Sequence, residues 1–326
     1  MSQGAEPFAF RPARAKLGFS ATPADAGPMT HVPIRYVEPV FRPPSEADSL
    51  ILPVTNGCSW NRCTFCEMYT APQKRFRPRD EEEVLESIRR CGETFGDSIK
   101  RVFLADGDAM TLSIRRLAAV LEAIRRELPG VRRVSSYCLP RNVRKKSAEE
   151  LRELANLGLS LVYVGAESGD DEVLARVDKG ETFESSRAAL EKLREAGIKR
   201  SVMILNGLGG EILSRPHAEN SAALMNATQP EFLATLTVSF PLGEARFREN
   251  FPQWEPLGVV GLMQEMEVLL SRLELKRTVF RSDHASNWLI LKGTLGADKE
   301  RLLGELRAAI AAPEAAPLRP AWARGL

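Results

Sequence analysis

The sequence predicts an α/β protein built on a parallel sheet covered by helices. Six strand-like apolar runs lie between Leu50 and Ser239, and a helical pattern follows each of the first five. The connections are short, as strand–helix–strand units require. A proline-rich arm precedes this grammar and a small α+β appendage follows it. At 326 residues the chain has room for one barrel-type domain or two ordinary ones. Strand grammar alone leaves a doubly wound sheet and a barrel both open.

In order, residues 1–48 hold eight of the twenty-one prolines, a density that forbids long helices. A loose arm is expected there, ordered where Tyr36 to Phe41 meets the body. Residues 49–240 carry the sheet. Leu50 to Thr55 is the first strand, and Asp80 with Glu83 opens a helix whose apolar face is Val84, Ile88, Cys91 and Phe95. Lys100 to Ala105 is the second strand, followed by a helix over Leu117 to Leu128 that stops at Pro129-Gly130. Val131 to Cys138 is the third, and Ser147 with Glu150 caps the next helix. Leu159 to Val164 is the fourth, with helices near Asp171 to Val177 and Thr182 to Ala196. Ile198 to Leu205 and Glu231 to Ser239, flanking a helix around Ser214 to Asn226, are the fifth and sixth. The appendage, residues 241–312, reads as a helix at Val260 to Leu273, a strand at Thr278 to Phe280, an apolar stretch at Trp288 to Leu291 and a helix from about Ala297 to Ile310. Residues 313–326 are expected to be flexible.

Hydrophobic content of 44% and charged content of 27% are those of a soluble globular chain, and a net charge of +2 selects no partner. No apolar run approaches the ~18 residues of a membrane span, and the N-terminus lacks the apolar core of a secretory signal. Five cysteines, three of them bunched, suit a metal or redox site in a reducing compartment better than disulfides. The expected location is the cytoplasm. The cluster Arg141 to Lys146 reads as a solvated turn rather than a nucleic-acid surface.

In parallel α/β architectures the working groups sit at the C-terminal ends of strands. The first strand ends in Cys58-Ser-Trp-Asn-Arg-Cys63-Thr-Phe65-Cys66. The second ends in Asp106-Gly107-Asp108, the third in Cys138-Leu-Pro-Arg141, the fourth in Gly165-Ala-Glu167-Ser168-Gly169, and the fifth in Asn206-Gly207-Leu-Gly-Gly210. Three thiols leave structural zinc one ligand short, unless His31 or Cys91 completes it, whereas an iron–sulfur cluster can leave one iron open. Cys91, on an apolar helical face, reads as core. Gly207 to Gly210 is a weak phosphate-loop pattern without its lysine.

These residues carry a resemblance. The tri-cysteine loop with an aromatic before its last thiol, Ala105-Asp-Gly-Asp108, and Gly165-Ala-Glu-Ser-Gly169 followed by Val173-Leu174 and Lys179-Gly180 resemble the radical S-adenosylmethionine (radical SAM) superfamily. Over about residues 35 to 300 the chain is similar to a bacterial group of iron–sulfur oxidoreductase-like proteins. The core of that group resembles tRNA methylthiotransferases and oxygen-independent coproporphyrinogen oxidases. Arg42-Pro-Pro-Ser-Glu46 and Phe280-Arg-Ser-Asp-His-Ala-Ser-Asn287 recur in that group. One departure is the spacing, with four residues rather than three between Cys58 and Cys63.

The resemblance implies a partial (β/α)6 barrel, TIM-like, with the appendage over its mouth. It implies that Cys58, Cys63 and Cys66 hold a [4Fe–4S] cluster whose open iron chelates S-adenosylmethionine (SAM), with Phe65 as a shield. Reductive cleavage of SAM would give a 5′-deoxyadenosyl radical that takes hydrogen from a substrate. Such clusters reach potentials down to about −700 mV, and a donor such as flavodoxin or ferredoxin is implied. In this scheme Asp106, Gly107 and Asp108 accept SAM's ammonium, Arg141 pairs with its carboxylate, and Glu167 and Ser168 meet its ribose. Leu205 and Gly207 lie along adenine. Substrate chemistry falls to Arg281, Asp283 and His284, the last as acid/base, and to Cys138 as hydrogen-atom donor or ligand to a second metal, against the plainer reading of a buried structural thiol. His217 reads as structural. Cys91 and Cys138 are too few for a methylthiotransferase's auxiliary cluster, and the arm is too short for a cobalamin domain. An iron–sulfur or zinc-bearing module that binds RNA or protein without SAM chemistry is the alternative, but it leaves the motifs at the other strand ends unexplained.

Overall fold

A computed structural model describes residues 32–324. His31, and the arm before it, lie outside the described residues. The chain opens with β1 (Leu50–Pro53), β2 (Thr55–Asn56) and β3 (Arg77–Pro78), then α1 (Glu81–Phe95), β4 (Arg101–Ala105), α2 (Ile114–Glu127) and β5 (Arg133–Cys138). It continues with α3 (Pro140–Arg144), α4 (Ala148–Asn156), β6 (Leu159–Glu167), α5 (Asp171–Arg176), α6 (Phe183–Glu195), β7 (Lys199–Asn206), α7 (Gly210–Thr228) and β8 (Phe232–Thr237). Last come α8 (Ala245–Asn250), α9 (Val259–Arg272), β9 (Val279–Ser282), β10 (Leu291–Thr294) and α10 (Lys299–Ala311).

The main sheet runs β1-β4-β5-β6-β7-β8-β9-β10, parallel throughout except for the antiparallel β9–β10 pair. A doubly wound sheet reverses its strand order at a switch point. Here the order never reverses, so the strands wind one way around a common interior: a partial barrel, open between β1 and β10. The sheet does not break at residue 240; two strands from the expected appendage extend it.

Strand parity sorts the core into two layers. Leu50, Leu52, Val102, Leu104, Val134, Val162, Val202 and Leu233 face the surrounding helices. Ile51, Phe103, Leu161 and Tyr163, with Tyr137 and Phe232, face inward. Phe103 meets Tyr137 and Tyr163 edge-on at 5.1 and 6.1 Å, filling the lower interior. Below them the Tyr163 hydroxyl donates to buried Glu46 at 2.6 Å and Arg133 reaches the same oxygen at 2.8 Å, which floors the barrel.

The helices begin where the sequence places their caps. Asp80 accepts from the Glu83 amide, and Ser147 and Glu150 form a reciprocal capping box. Each cap is worth about 1 kcal/mol. α7 starts four residues before Ser214 because the glycine-rich turn itself supplies the first helical turn.

Candidate functional site

The cysteine loop leaves β1 and packs back to back with the turn after β4. Thr55 Oγ1 donates to the Asp106 carbonyl at 2.8 Å. A Cβ on Gly107, whose φ is +83°, would sit 2.4 Å from the Gly57 carbonyl oxygen, so only glycine fits. Cys58 and Cys66 are half-buried and Cys63 is 8% exposed. Burial raises all three thiol pKa values, Cys63 to about 12; nearby thiols add to the rise at Cys63 and Cys66 and Asp108 at Cys58, while Lys179 opposes it at all three. Such thiols stay protonated at neutral pH until a metal displaces the proton. Among the described residues no group of three Cys, His, Asp or Glu side chains is spaced for a single metal ion. Three thiolates are the donor set of a cluster that keeps one iron open, and are one ligand short of a structural zinc site. Cys91 is fully buried in the core of α1.

Lys179, which sequence reasoning passed over as a site residue, is the cation beside these thiols. It is 4% exposed and pairs with Glu167 at 3.1 Å. Burial pulls its pKa down, but Glu167 and Cys63 outweigh that and the net shift is upward, so it stays charged. Its ammonium lies 5.8 Å from the centre of the Phe65 ring. Glu167 has φ +66°, and a Cβ on Gly165 would be 2.1 Å from its Oε1, so the Gly-Ala-Glu run is shaped around this pair. The signal was present in Lys179-Gly180, but nothing in the sequence says that this lysine is buried.

Other expected contacts are engaged elsewhere. The Asp106 carboxylate is closed off by buried Lys74 and by the Tyr69 hydroxyl at 3.0 Å. Asp108, fully buried, accepts from Ser59 and so ties the two loops together. Arg141 pairs with Glu181 at 2.8 Å and stacks 3.7 Å from the centre of Trp60, over Gly180. It braces the cysteine loop rather than reaching into the interior. Its neighbour Lys146 is buried and donates to the Met110 carbonyl, so the basic cluster is not simply a solvated turn.

Ser168 points away from the interior, 2.7 Å from His217 Nδ1. His217 Nε2 lies 3.8 Å from Glu265, which accepts the Gly207 amide at 2.6 Å. The Gly207 carbonyl takes the Trp254 indole at 3.2 Å. Both main-chain groups of Gly207 are therefore used, which corrects its expected role along adenine. The Leu205 side chain keeps a suitable place, half-exposed beside Phe65, Val238 and Phe240.

A strap crosses the barrel mouth between β8 and α9. Phe247, Phe251 and Trp254 bury themselves against Val173, Val177 and Leu208, and Phe240 stacks on Phe247 at 4.7 Å. Arg246 Nη1 donates to the Cys66 carbonyl at 2.8 Å, so the strap latches onto the cysteine loop.

Cys138 shares the helix-facing side of β5 with Val134 and is buried in the outer core. Strand parity therefore turns it away from the barrel interior, where the expected hydrogen-atom donor or second-metal ligand would have to stand. Asp283 and His284 lie in the β9–β10 loop. The Ser286 amide and hydroxyl lie 3.2 and 2.9 Å from His284 Nδ1, and Asn287 binds the Thr235 carbonyl. Burial lowers the His284 pKa, with Arg319 adding to the effect and Asp283 opposing it. Arg281 projects from the inward face of β9.

The Radical SAM superfamily model matches residues 52–217. The chain belongs to that superfamily. With membership come its cofactors, a [4Fe–4S] cluster and SAM. The heme chaperone HemW of Bacillus subtilis is 23% identical over 172 residues, 51% of this chain and 45% of its own. The tRNA-2-methylthio-N(6)-dimethylallyladenosine synthase of Chlorobium limicola is 24% identical over 186 residues, 55% of this chain and 40% of its own. The chain thus spans under half the length of these curated relatives. The coproporphyrinogen III oxidase HemN of Escherichia coli shares the fold, with a TM-score of 0.50 at 15% identity over 69% of this chain and 52% of that one. The radical SAM barrel therefore accounts for the one-way strand order.

Proposed function

We propose that this chain is a radical SAM enzyme in which Cys58, Cys63 and Cys66 hold the cluster and SAM is cleaved reductively for hydrogen abstraction. When bound, cluster and SAM together supply a 5′-deoxyadenosyl radical. The observation that carries the reading is the buried Lys179–Glu167 pair beside the three thiols. Lys179 offers a fixed cation to SAM's carboxylate, taking the part first expected of Arg141. Glu167 keeps its second oxygen for the ribose hydroxyls. Phe65, Leu205, Val238 and Phe240 form an apolar seat for adenine, and the main chain of the Asp106-Gly-Asp108 turn faces the ammonium. The strap excludes water from the mouth, which protects a reactive radical. His284 and Asp283 serve substrate at the rim.

Residues 49–240 together with β9 and β10 act as the catalytic barrel, and a low-potential flavodoxin or ferredoxin in the cytoplasm supplies electrons. Among the described residues no helix is long and apolar enough to cross a membrane.

Anaerobic reconstitution is expected to give about four irons per chain, the content of one [4Fe–4S] cluster. Reduced protein with SAM is expected to release 5′-deoxyadenosine, and Cys63→Ala to abolish that release. A colourless protein holding one zinc, or unchanged release from the variant, would refute the reading.

A further inference from the structure

We propose that the substrate is an anion with an apolar body, its head group held by Arg281 and Lys292 on the inner face of the sheet. This rests on the radical SAM reading and adds the chemistry of the molecule that loses hydrogen.

Side chains in register on neighbouring strands share a face. Met203 pairs with Ala234, Ala234 with Arg281, and Arg281 with Lys292, across β7 to β10. Phe232, two residues before Ala234, belongs to the inward cluster, so this whole row faces the interior. Exposure alternates along β8: Phe232, Ala234 and Leu236 are half-buried, whereas Leu233, Thr235 and Thr237 are buried. The inner wall is therefore a partly open apolar surface that ends sideways in two cations.

Those cations are under-matched. Lys292 pairs with Asp283 at 2.9 Å. Arg281 is exposed and, among the described residues, donates only to the adjoining Phe280 carbonyl at 3.0 Å. Charged side chains on an edge strand guard against stray pairing. Arg281, however, sits on β9, which is hydrogen-bonded on both sides, so edge protection does not require it.

The opposite edge repeats the imbalance. A cavity of about 340 Å³ beside β1 is lined by four cations and by three carboxylates, Asp80, Glu83 and Asp106. Lys74 and Arg79 are matched by Asp106 and Glu83, whereas the side chains of Arg35 and Arg77 have no partner among the described residues. Unmatched guanidinium groups thus stand on β9 and beside β1, and their planar fork suits carboxylate and phosphate.

The test uses the full chain carrying its cluster, titrated calorimetrically with decanoate, decyl phosphate and decyltrimethylammonium. At least one anion is expected to bind one per chain, which also tells carboxylate from phosphate, and the cation is expected not to bind. Arg281→Gln is expected to weaken anion binding about tenfold or more, the scale of a lost charged hydrogen bond, with Arg281→Lys recovering part. Lys292→Gln gives a second reading should Arg281→Gln fail to fold. Equal affinity for the cation, no anion binding, or unchanged anion affinity in both glutamine variants overturns the proposal. Deoxyadenosine release by the wild-type chain, measured without these probes, reports on the cofactor reading by itself, so the two failures are distinguishable.

Discussion

A buried ammonium needs a buried counter-charge, and Glu167 supplies it to Lys179 at 3.1 Å. Removing one member of such a pair costs far more than removing both, because it strands a charge away from water. Lys179→Met is therefore expected to lower unfolding stability by ~3–5 kcal/mol, and Lys179→Met with Glu167→Gln by clearly less. Urea denaturation of the three proteins checks this. Equal losses from the single and double variants would mean that the lysine acts through packing alone. Gly165 belongs to the same device, since any larger residue there would strike the Glu167 carboxylate.

At the scale of elements, the strap is the part that joins distant stretches of chain. Arg246 reaches the Cys66 carbonyl, and the Leu242 amide donates to Glu67 at 3.1 Å. Arg246→Ala is expected to speed hydrogen exchange at the amides of residues 58–67 about tenfold, as loss of a charged hydrogen bond implies. Exchange unchanged across that loop would show that the strap merely lies over it. The sequence hid this element: α8 has six residues, too few for a helical period, and its apolar residues bury into a satellite cluster. The long helices were legible because their apolar stripes and caps are local properties, as at Asp80 and Ser147. The site was half legible. Cysteine spacing and the strand-end motifs depend on order along the chain. Which face Cys138 takes, and whether Gly207 has a free amide, depend on strand parity and on partners such as Glu265, nearly sixty residues away.

On the scale of the whole molecule, the C-terminal stretch closes back onto the barrel instead of hanging free as its proline and alanine content suggested. Arg319 donates to the carbonyls of His284, at 2.5 Å, and Asn287, and Arg324 stacks 3.9 Å from the centre of Trp288. Arg319 also helps hold the His284 pKa down. Because the folded pKa lies below the unfolded one, the folded chain binds fewer protons as pH falls through the ordinary imidazole range, and stability drops with it. Arg319→Met is expected to raise the His284 pKa and shrink that acid-side loss, as followed by imidazole NMR titration. A pKa that stays put would assign the depression to burial alone. The cysteine loop carries a different lesson. Its fastenings combine main chain and side chain: the Thr64 amide to the Val177 carbonyl at 3.0 Å, the Cys66 carbonyl to Arg246 and the Gly57–Gly107 contact, with Ser59 on Asp108, the Trp60 indole on the Asp178 carbonyl at 2.7 Å and the Asn61 side-chain amide on the Tyr69 carbonyl at 2.9 Å. Thr64 is buried between the second and third thiols, whereas Arg62 is exposed and its contacts, to Asp178 and Trp60, lie at the surface, so it is the letter open to redesign around an unchanged trio of sulfurs.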